Sequence, residues 1–395
     1  MKRTILKLAA LVLSIAALFV VSNRGTEAAR TVASQPAQEK TVEQTRKNIK
    51  VLTGLPDSQL IPVMNFFAAS MGRRCNFCHV NNQGQWDYSS DAKPEKNTAR
   101  EMIKMVLDIN KTTARLNLDA ASCYTCHRGR TSPQSIPTLP LPLPSPPPNA
   151  GGAAGQAPGS RPQASPSPTP ALPSAEEIFT KYIAVIGGQA NIDKIKSRTV
   201  TGTATQTNGG TIPFEISQAA PDKFHILATI GQGTAERGFN GTIGWEKTAR
   251  GVRQLTAVEV AQLQGSIGLF HNIRLKEQFT RARVRGRDKI GDRQAYMIVG
   301  TTADNRQERL FFDAETGLLL RRITYTTTMI GMIPEQIDFE DYREVDGIKF
   351  PFTVRISSIE VGNPISTRTF TNIKLNAPVD DSKFNKPPEA KPANP

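Results

Sequence analysis

Between residues 41 and 111 apolar side chains return at helical spacing in three stretches. "TVEQTRKNIKVLTG" (41–54) predicts a first helix that ends on Gly54. "SQLIPVMNFFAASMG" (58–72) predicts a second, with Ser58 as N-cap and Gly72 as stop. "KNTAREMIKMVLDINK" (96–111) predicts a third, whose Met102, Met105, Val106 and Ile109 share one apolar face. "SAEEIFTKYIAVIGG" (174–188) is a fourth, with Ser174 and Glu177 at capping-box spacing and Gly187–Gly188 ending it. From Thr199 the period changes to two. "RTVTGTATQT", "ERLFFDAETGLLLRRITYTT", "GIKFPFTVRISS" and "STRTFTNIKLN" read as strands, the second as a pair around an Ala-Glu-Thr-Gly turn. One more helix is expected at "TAVEVAQLQGSIGLF".

Two stretches fit neither period. Lys2, Arg3 and Lys7 precede an apolar run from Leu8 to Val21, broken only by Ser14, and a small-residue exit near Ala28 and Ala29. The run is shorter than the roughly 20 residues that span a bilayer. Residues 1–29 therefore read as a signal peptide, with an uncleaved N-terminal anchor as the alternative. The stretch 131–173 holds half of the 28 prolines and too few large apolar side chains for a core. It reads as a Pro/Gly/Ala-rich linker. The expected division is thus 1–29 leader, 30–130 helical domain, 131–173 linker, 174–387 β-rich domain and 388–395 polar tail.

The 395 residues carry a formal charge of +14. A basic surface favours acidic proteins, anionic lipid or nucleic acid, and export excludes the last. The expected location is the periplasm, or the outer face of the inner membrane if the leader stays in place.

The chemistry sits in two short runs, "CNFCH" (Cys75, Cys78, His79) and "CYTCH" (Cys123, Cys126, His127), which use all four cysteines and two of the four histidines. Cys-x-x-Cys-His is the attachment signature of c-type haem. One turn presents two sulfurs to the vinyl groups on one porphyrin edge, and the next imidazole coordinates the iron. A redox Cys pair or a zinc site needs no histidine at that position. Two such runs imply two covalently bound haem c groups and leave no cysteine for disulfides.

His79 and His127 provide one axial ligand each. His225 and His271 lie in the β-rich region and read as ordinary structural residues, so methionine is the candidate on the opposite side. Met71 is four residues before Cys75 and, at ~3.3–3.6 Å per extended residue, barely reaches round the porphyrin. Met64, eleven residues ahead, has room. For the second haem, spacing alone does not separate Met102 from Met105.

The segments "VMNFFAASMGRRCNFCH", "KPEKNTAREMIKMVLDIN" and "CYTCHRG" together resemble the cytochrome c subunit of photosynthetic reaction centres. In that family each haem unit has a helix bearing an axial Met ahead of its CxxCH. The resemblance implies Met64 for the first iron and Met105 rather than Met102 for the second, and Arg128–Gly129 fits it too. It covers about residues 48–130. This chain departs from the family in having one haem pair instead of two, no lipoprotein cysteine, and an added β-rich region. That region, through "LFFDAETGLLLRR" and "DFEDYREVDGIKFPFTVRI", loosely resembles the curved antiparallel sheets of lipoprotein carriers.

The expected architecture is multidomain: a mainly α dihaem domain and an α+β domain with a largely antiparallel curved sheet, joined by a Pro-rich linker. The expected function is single-electron relay between redox protein partners, with a reaction centre or another membrane-bound complex among them, and not an enzymatic reaction. The alternatives are a dihaem peroxidase and an envelope lipid- or protein-binding module. The acidic cluster Asp338, Glu340, Asp341, Glu344 and Asp346 reads as a solvated turn region.

Overall fold

The computed structural model describes residues 39–133, 172–207, 209–249, 251–360 and 364–388. The leader, most of the Pro-rich stretch (134–171) and the tail from 389 lie outside the described residues.

The helical part begins with α1 (Val42–Thr45) and α2 (Asp57–Met71), followed by a small hairpin of β1 (Val80–Asn82) and β2 (Gln85–Asp87). Then come α3 (Pro94–Arg115) and α4 (Cys123–His127). The helix expected over 41–54 is only one turn long. Asn48 and Leu52 adopt positive φ, and Arg46 turns back to hold Asp57 through two bonds of 2.8 and 2.9 Å. Pairing with α2 thus overrides the local helical spacing. Pro56, not Ser58, is the N-cap of α2, while Gly72 ends it in the left-handed conformation as expected. The buried face of α3 also differs from the expected one. Arg100, Ile103 and Val106 are buried, whereas Met105 and Ile109 are 42% and 39% exposed. Arg100 can occupy a core-facing position because Asp91 neutralises it at 2.9 Å.

The sheet part opens with α5 (Ala175–Ile186) and α6 (Gln189–Ile192). Ser174 Oγ accepts from Glu177 N–H at 3.2 Å and Glu177 Oε2 accepts from Ser174 N–H at 2.7 Å, so the capping box forms as read. Six strands follow as a meander: β3 (Ser197–Gln206), β4 (Thr211–Ala219), β5 (Lys223–Ile230), β6 (Gly233–Phe239), β7 (Gly244–Thr248) and β8 (Gly251–Gln254). After α7 (Ala257–Ile267) a second meander runs through β9 (Phe279–Ile290), β10 (Arg293–Thr302), β11 (Gln307–Asp313) and β12 (Leu319–Thr328). It ends with β13 (Gly331–Val345), β14 (Ile348–Ser357) and β15 (Ile365–Leu375). β15 pairs antiparallel with β3, which joins the two meanders into one sheet of 13 strands with β8 and β9 at its edges.

So wide a twisted sheet curls rather than staying flat, and register shifts in the β9–β10, β11–β12 and β15–β3 pairs add local bends. The apolar face of α5 (Ile178, Phe179, Tyr182, Ile186) packs against Phe312, Ile337 and Phe350 of the sheet. The acidic cluster does not converge. Asp338 pairs with Arg321, Asp341 with Arg343 and Glu340 with Arg355, spread along β13.

His225 and His271 are structural, and both are buried against charging. Burial, followed by the positive field of Arg322 and Arg306, holds His271 well below the usual imidazole range. Burial lowers His225 as well, although Glu236 at 3.2 Å opposes the shift. The unfolded chain takes up these protons near pH ~6.5 and the folded chain only at lower pH. Their contribution to stability is therefore complete above about pH 6.5 and falls as the pH drops toward the folded values. Thermal unfolding followed from pH ~7.5 down to ~5 should show this loss. His271→Gln should flatten the profile, and an unchanged slope in that variant would remove His271 from the account.

Candidate functional site

Each Cys-x-x-Cys-His run forms one tight turn. Cys75–Phe77 is a single 3-10 turn in which Cys75 O accepts from Cys78 N–H at 3.3 Å and from His79 N–H at 3.0 Å. Cys123–His127 is α4 itself, with a reciprocal cap between Ser122 and Thr125. After it, Arg128 (φ 47°) and Gly129 (φ 82°) turn the chain back, so that Arg130 O lies 3.0 Å from His127 Nδ1. A carbonyl can only accept, so Nδ1 carries the proton and Nε2 keeps its lone pair for a metal.

The surroundings of His79 differ. Its Nδ1 is buried without a close hydrogen-bond partner, and burial, with Lys96 adding to it and the Tyr88 backbone opposing it, lowers the pKa. Tyr88 meets the His79 ring edge-on at 5.2 Å and stacks on Trp86 at 5.5 Å. Lys96 Nζ fixes this aromatic pair by donating to Tyr88 O at 2.9 Å and Ser90 O at 2.8 Å. Asp91, bound by Lys50, Asn48, Lys96 and Arg100, ties the same loop to α3, and these partners hold its carboxyl well below the usual range.

The two motifs meet. A cleft of about 460 Å³ is lined by Cys78 from the first and by Cys123 and His127 from the second, with Phe67 and Met71 from α2 and Met102 and Ile103 from α3. That volume falls in the ~300–1,000 Å³ range of ligand sites. Cys75 faces a neighbouring, more open cleft of about 630 Å³ with Trp86 and Lys93, and Cys126 is exposed. By contrast, the cavity beneath the curved sheet is only about 80 Å³.

All four cysteines are free thiols. Burial pushes Cys123 up to about 11 and raises Cys78, so both are protonated at neutral pH. Among the described residues no three His, Cys, Asp or Glu side chains converge as metal ligands. Side chains that do not gather round one point do not match the closed four-ligand geometry of thiolate-held zinc. They do suit thioether attachment beside an imidazole with a free nitrogen, and in this respect the residues fit a haem.

Met102 and Met71 line the cleft, whereas Met105, favoured by the family resemblance, is 42% exposed and not part of that lining. Met64 is partly buried and packs with Val63, Phe66 and Cys123 in the helical core. The sequence reading also missed how the motifs are joined. Ser70 O accepts from Gly129 N–H at 2.8 Å, locking the end of α2 to the turn after CYTCH. The glycines at 72 and 129 are the only local trace of that contact.

The sequence profile of the photosynthetic reaction centre cytochrome C subunit family matches residues 17–214. The photosynthetic reaction center cytochrome c subunit of Rubrivivax gelatinosus is 32% identical over 98 residues, 24% of this chain and 25% of that protein. Cytochrome c-554 of Chloroflexus aurantiacus is 32% identical over 87 residues, 20% of each chain. This chain thus spans a quarter or less of the length of these relatives. A LolA superfamily protein of Nitrosomonas europaea aligns with 54% of this chain and 99% of its own at 12% identity and a TM-score of 0.39. A DUF1329 family protein of Desulfovibrio piger aligns with 53% and 96% at 11% identity and a TM-score of 0.40. The profile covers half of the chain and takes in both Cys-x-x-Cys-His turns, and the chain belongs to the photosynthetic reaction centre cytochrome c subunit family.

Proposed function

We propose that this protein is an exported dihaem c-type cytochrome that passes single electrons between redox partners. The observation that carries the reading is the shared cleft, to which both motifs contribute side chains. Bound haem supplies a one-electron couple at each iron. Cys75 and Cys78 hold one group and Cys123 and Cys126 the other, which lets a helical part of this size keep both without enclosing them. His79 and His127 would each offer a ring nitrogen to the iron. Phe67, Ile103 and Met102 give the cleft an apolar wall that excludes water, and ligand identity and burial together set the potential.

On the opposite side we assign Met64 to the first iron and Met102 to the second. Met64 has the eleven-residue reach to Cys75 that Met71 lacks, and Met102, not Met105, is on the cleft that Cys123 and His127 line. Were both irons held by these protein ligands, the haems would supply electron transfer and not peroxide chemistry. The formal charge of +14 over the whole chain suits an acidic protein partner or an anionic membrane face, with a reaction centre or another membrane complex as the docking site. Among the described residues no helix is long and apolar enough to cross a membrane. The periplasmic placement rests on the leader at residues 1–29.

Haem determination should give two groups per chain, and a redox titration two one-electron steps. Met102→Leu should remove one haem's share of the Met–iron charge-transfer band and lower that haem's potential, while Met105→Leu leaves both unchanged. The reverse pattern would return the ligand to Met105. A high-spin, peroxide-reactive iron in the unmodified protein would replace the carrier with an enzyme.

A further inference from the structure

We propose that the tip of the β12–β13 hairpin backs the second haem site from behind Cys123, with Ile330 and Gly331 as positioning residues for that cysteine. The inference rests on the reading of CYTCH as a haem anchor and adds a part of that site from the far end of the chain.

β12 ends at Thr328 and β13 starts at Gly331, so Met329 and Ile330 form a two-residue turn. Thr328 Oγ1 holds the turn by donating to Gly331 O at 2.8 Å and accepting from Ile330 N–H at 3.3 Å. A hairpin tip ordinarily points into water and is polar, but Ile330 is 0% exposed and Ile333 9%. What covers them is the helical part. Both pack in one cluster with Val63, Phe66 and Ile103, and Met329 and Cys123 border the same cluster.

The approach is closest at Gly331. A Cβ there would stand 2.9 Å from the Cβ of Ser122 and 3.8 Å from the Phe66 ring. Ser122 is the N-cap of α4, whose first residue is Cys123. The tip therefore sits against the side chain of Ser122, one residue before the cysteine that would carry one of the two thioether sulfurs of the second haem. Its apolar side chains also help bury the Cys123 side of the site, and a drier site disfavours the more charged, oxidised iron.

The test uses the full-length holoprotein. Ile330→Asp and Gly331→Val should each lower the potential of one haem and leave the other in place. The expected shift is about tenfold in that haem's redox equilibrium, or ~59 mV for one electron. Ile330→Val, which cannot disrupt folding to the same extent, should move the same haem in the same direction by less. In a holoprotein carrying a protease site inserted after Gly155, the two halves should elute together after cleavage, and Ile330→Asp should separate them. Two haems per chain with both potentials unmoved in all three variants would overturn this inference alone. A wild-type chain without two haems would overturn the dihaem reading and this inference with it.

Discussion

Glu308→Ala should destabilise the sheet part by about 3–5 kcal/mol, the cost of leaving a buried charge without its partner. Arg322 on β12 is 0% exposed. Its guanidinium meets Glu308 of β11 through Nε at 2.7 Å and Nη2 at 2.5 Å. The remaining donors reach His271 O at 3.2 Å, Asn272 Oδ1 at 3.0 Å and Gln278 Oε1 at 3.0 Å. The guanidinium thus makes four hydrogen bonds besides the ion pair, and the pair stitches two strands to the segment between α7 and β9. Burial pulls the Arg322 pKa below the guanidinium range, and Glu308 supplies the main opposing field. With Glu308 gone, water must enter or the arginine must leave. Replacing both, Glu308→Leu with Arg322→Met, removes the charge as well as its partner and should cost far less. Equilibrium unfolding in urea compares the two, and equal losses would show that shape rather than charge pairing is at stake. The strand involved continues into the tip that meets the helical part, so Glu308→Ala should also loosen that contact.

Gly72→Ala should be the most damaging small change in the helical part. Gly72 ends α2 at φ +63°, and a side chain in that left-handed conformation alone costs about 1–2 kcal/mol. In addition, its Cβ would fall on the carbonyl oxygen of Gly129, well inside van der Waals contact. The obstacle is backbone, fixed by the Ser70–Gly129 hydrogen bond, so no side chain can swing away to relieve it. The variant should lose stability beyond the conformational term and bind less haem at Cys123–His127 than at Cys75–His79. Gly54→Ala is the control: it has φ +82° with nothing within 4 Å of an added Cβ, and should show the conformational term only. Equal melting temperatures for the two variants would mean that the junction yields easily and does not couple the motifs.

Much of the candidate site is legible in the order of residues alone. The Cys-x-x-Cys-His spacing determines its own geometry, because four to five residues close one turn whatever surrounds them, and both motifs do so here. Helix ends fixed by local capping are equally readable: the Ser174–Glu177 box and the Gly72 and Gly187 stops. So are the strands, whose period of two names a buried face without naming its partner.

What the chain order does not decide is which face of an element meets which neighbour. On α3, apolar residues at 102, 103, 105, 106 and 109 spread over nearly half of the helix circumference, and periodicity alone favours Met105 and Ile109. The choice is made instead by Asp91, which lets Arg100 face inward, and by α2, which receives Ile103. Residues 46–54 carry helical spacing but follow Asp57 into a turn. The apolar turn at Met329–Ile330 reads as an exposed hairpin until the helical part, some 200 residues earlier, is seen to cover it. Local geometry is encoded in adjacent residues. Burial is a property of pairs of surfaces, and its sequence signal is divided between segments that only the folded chain brings together.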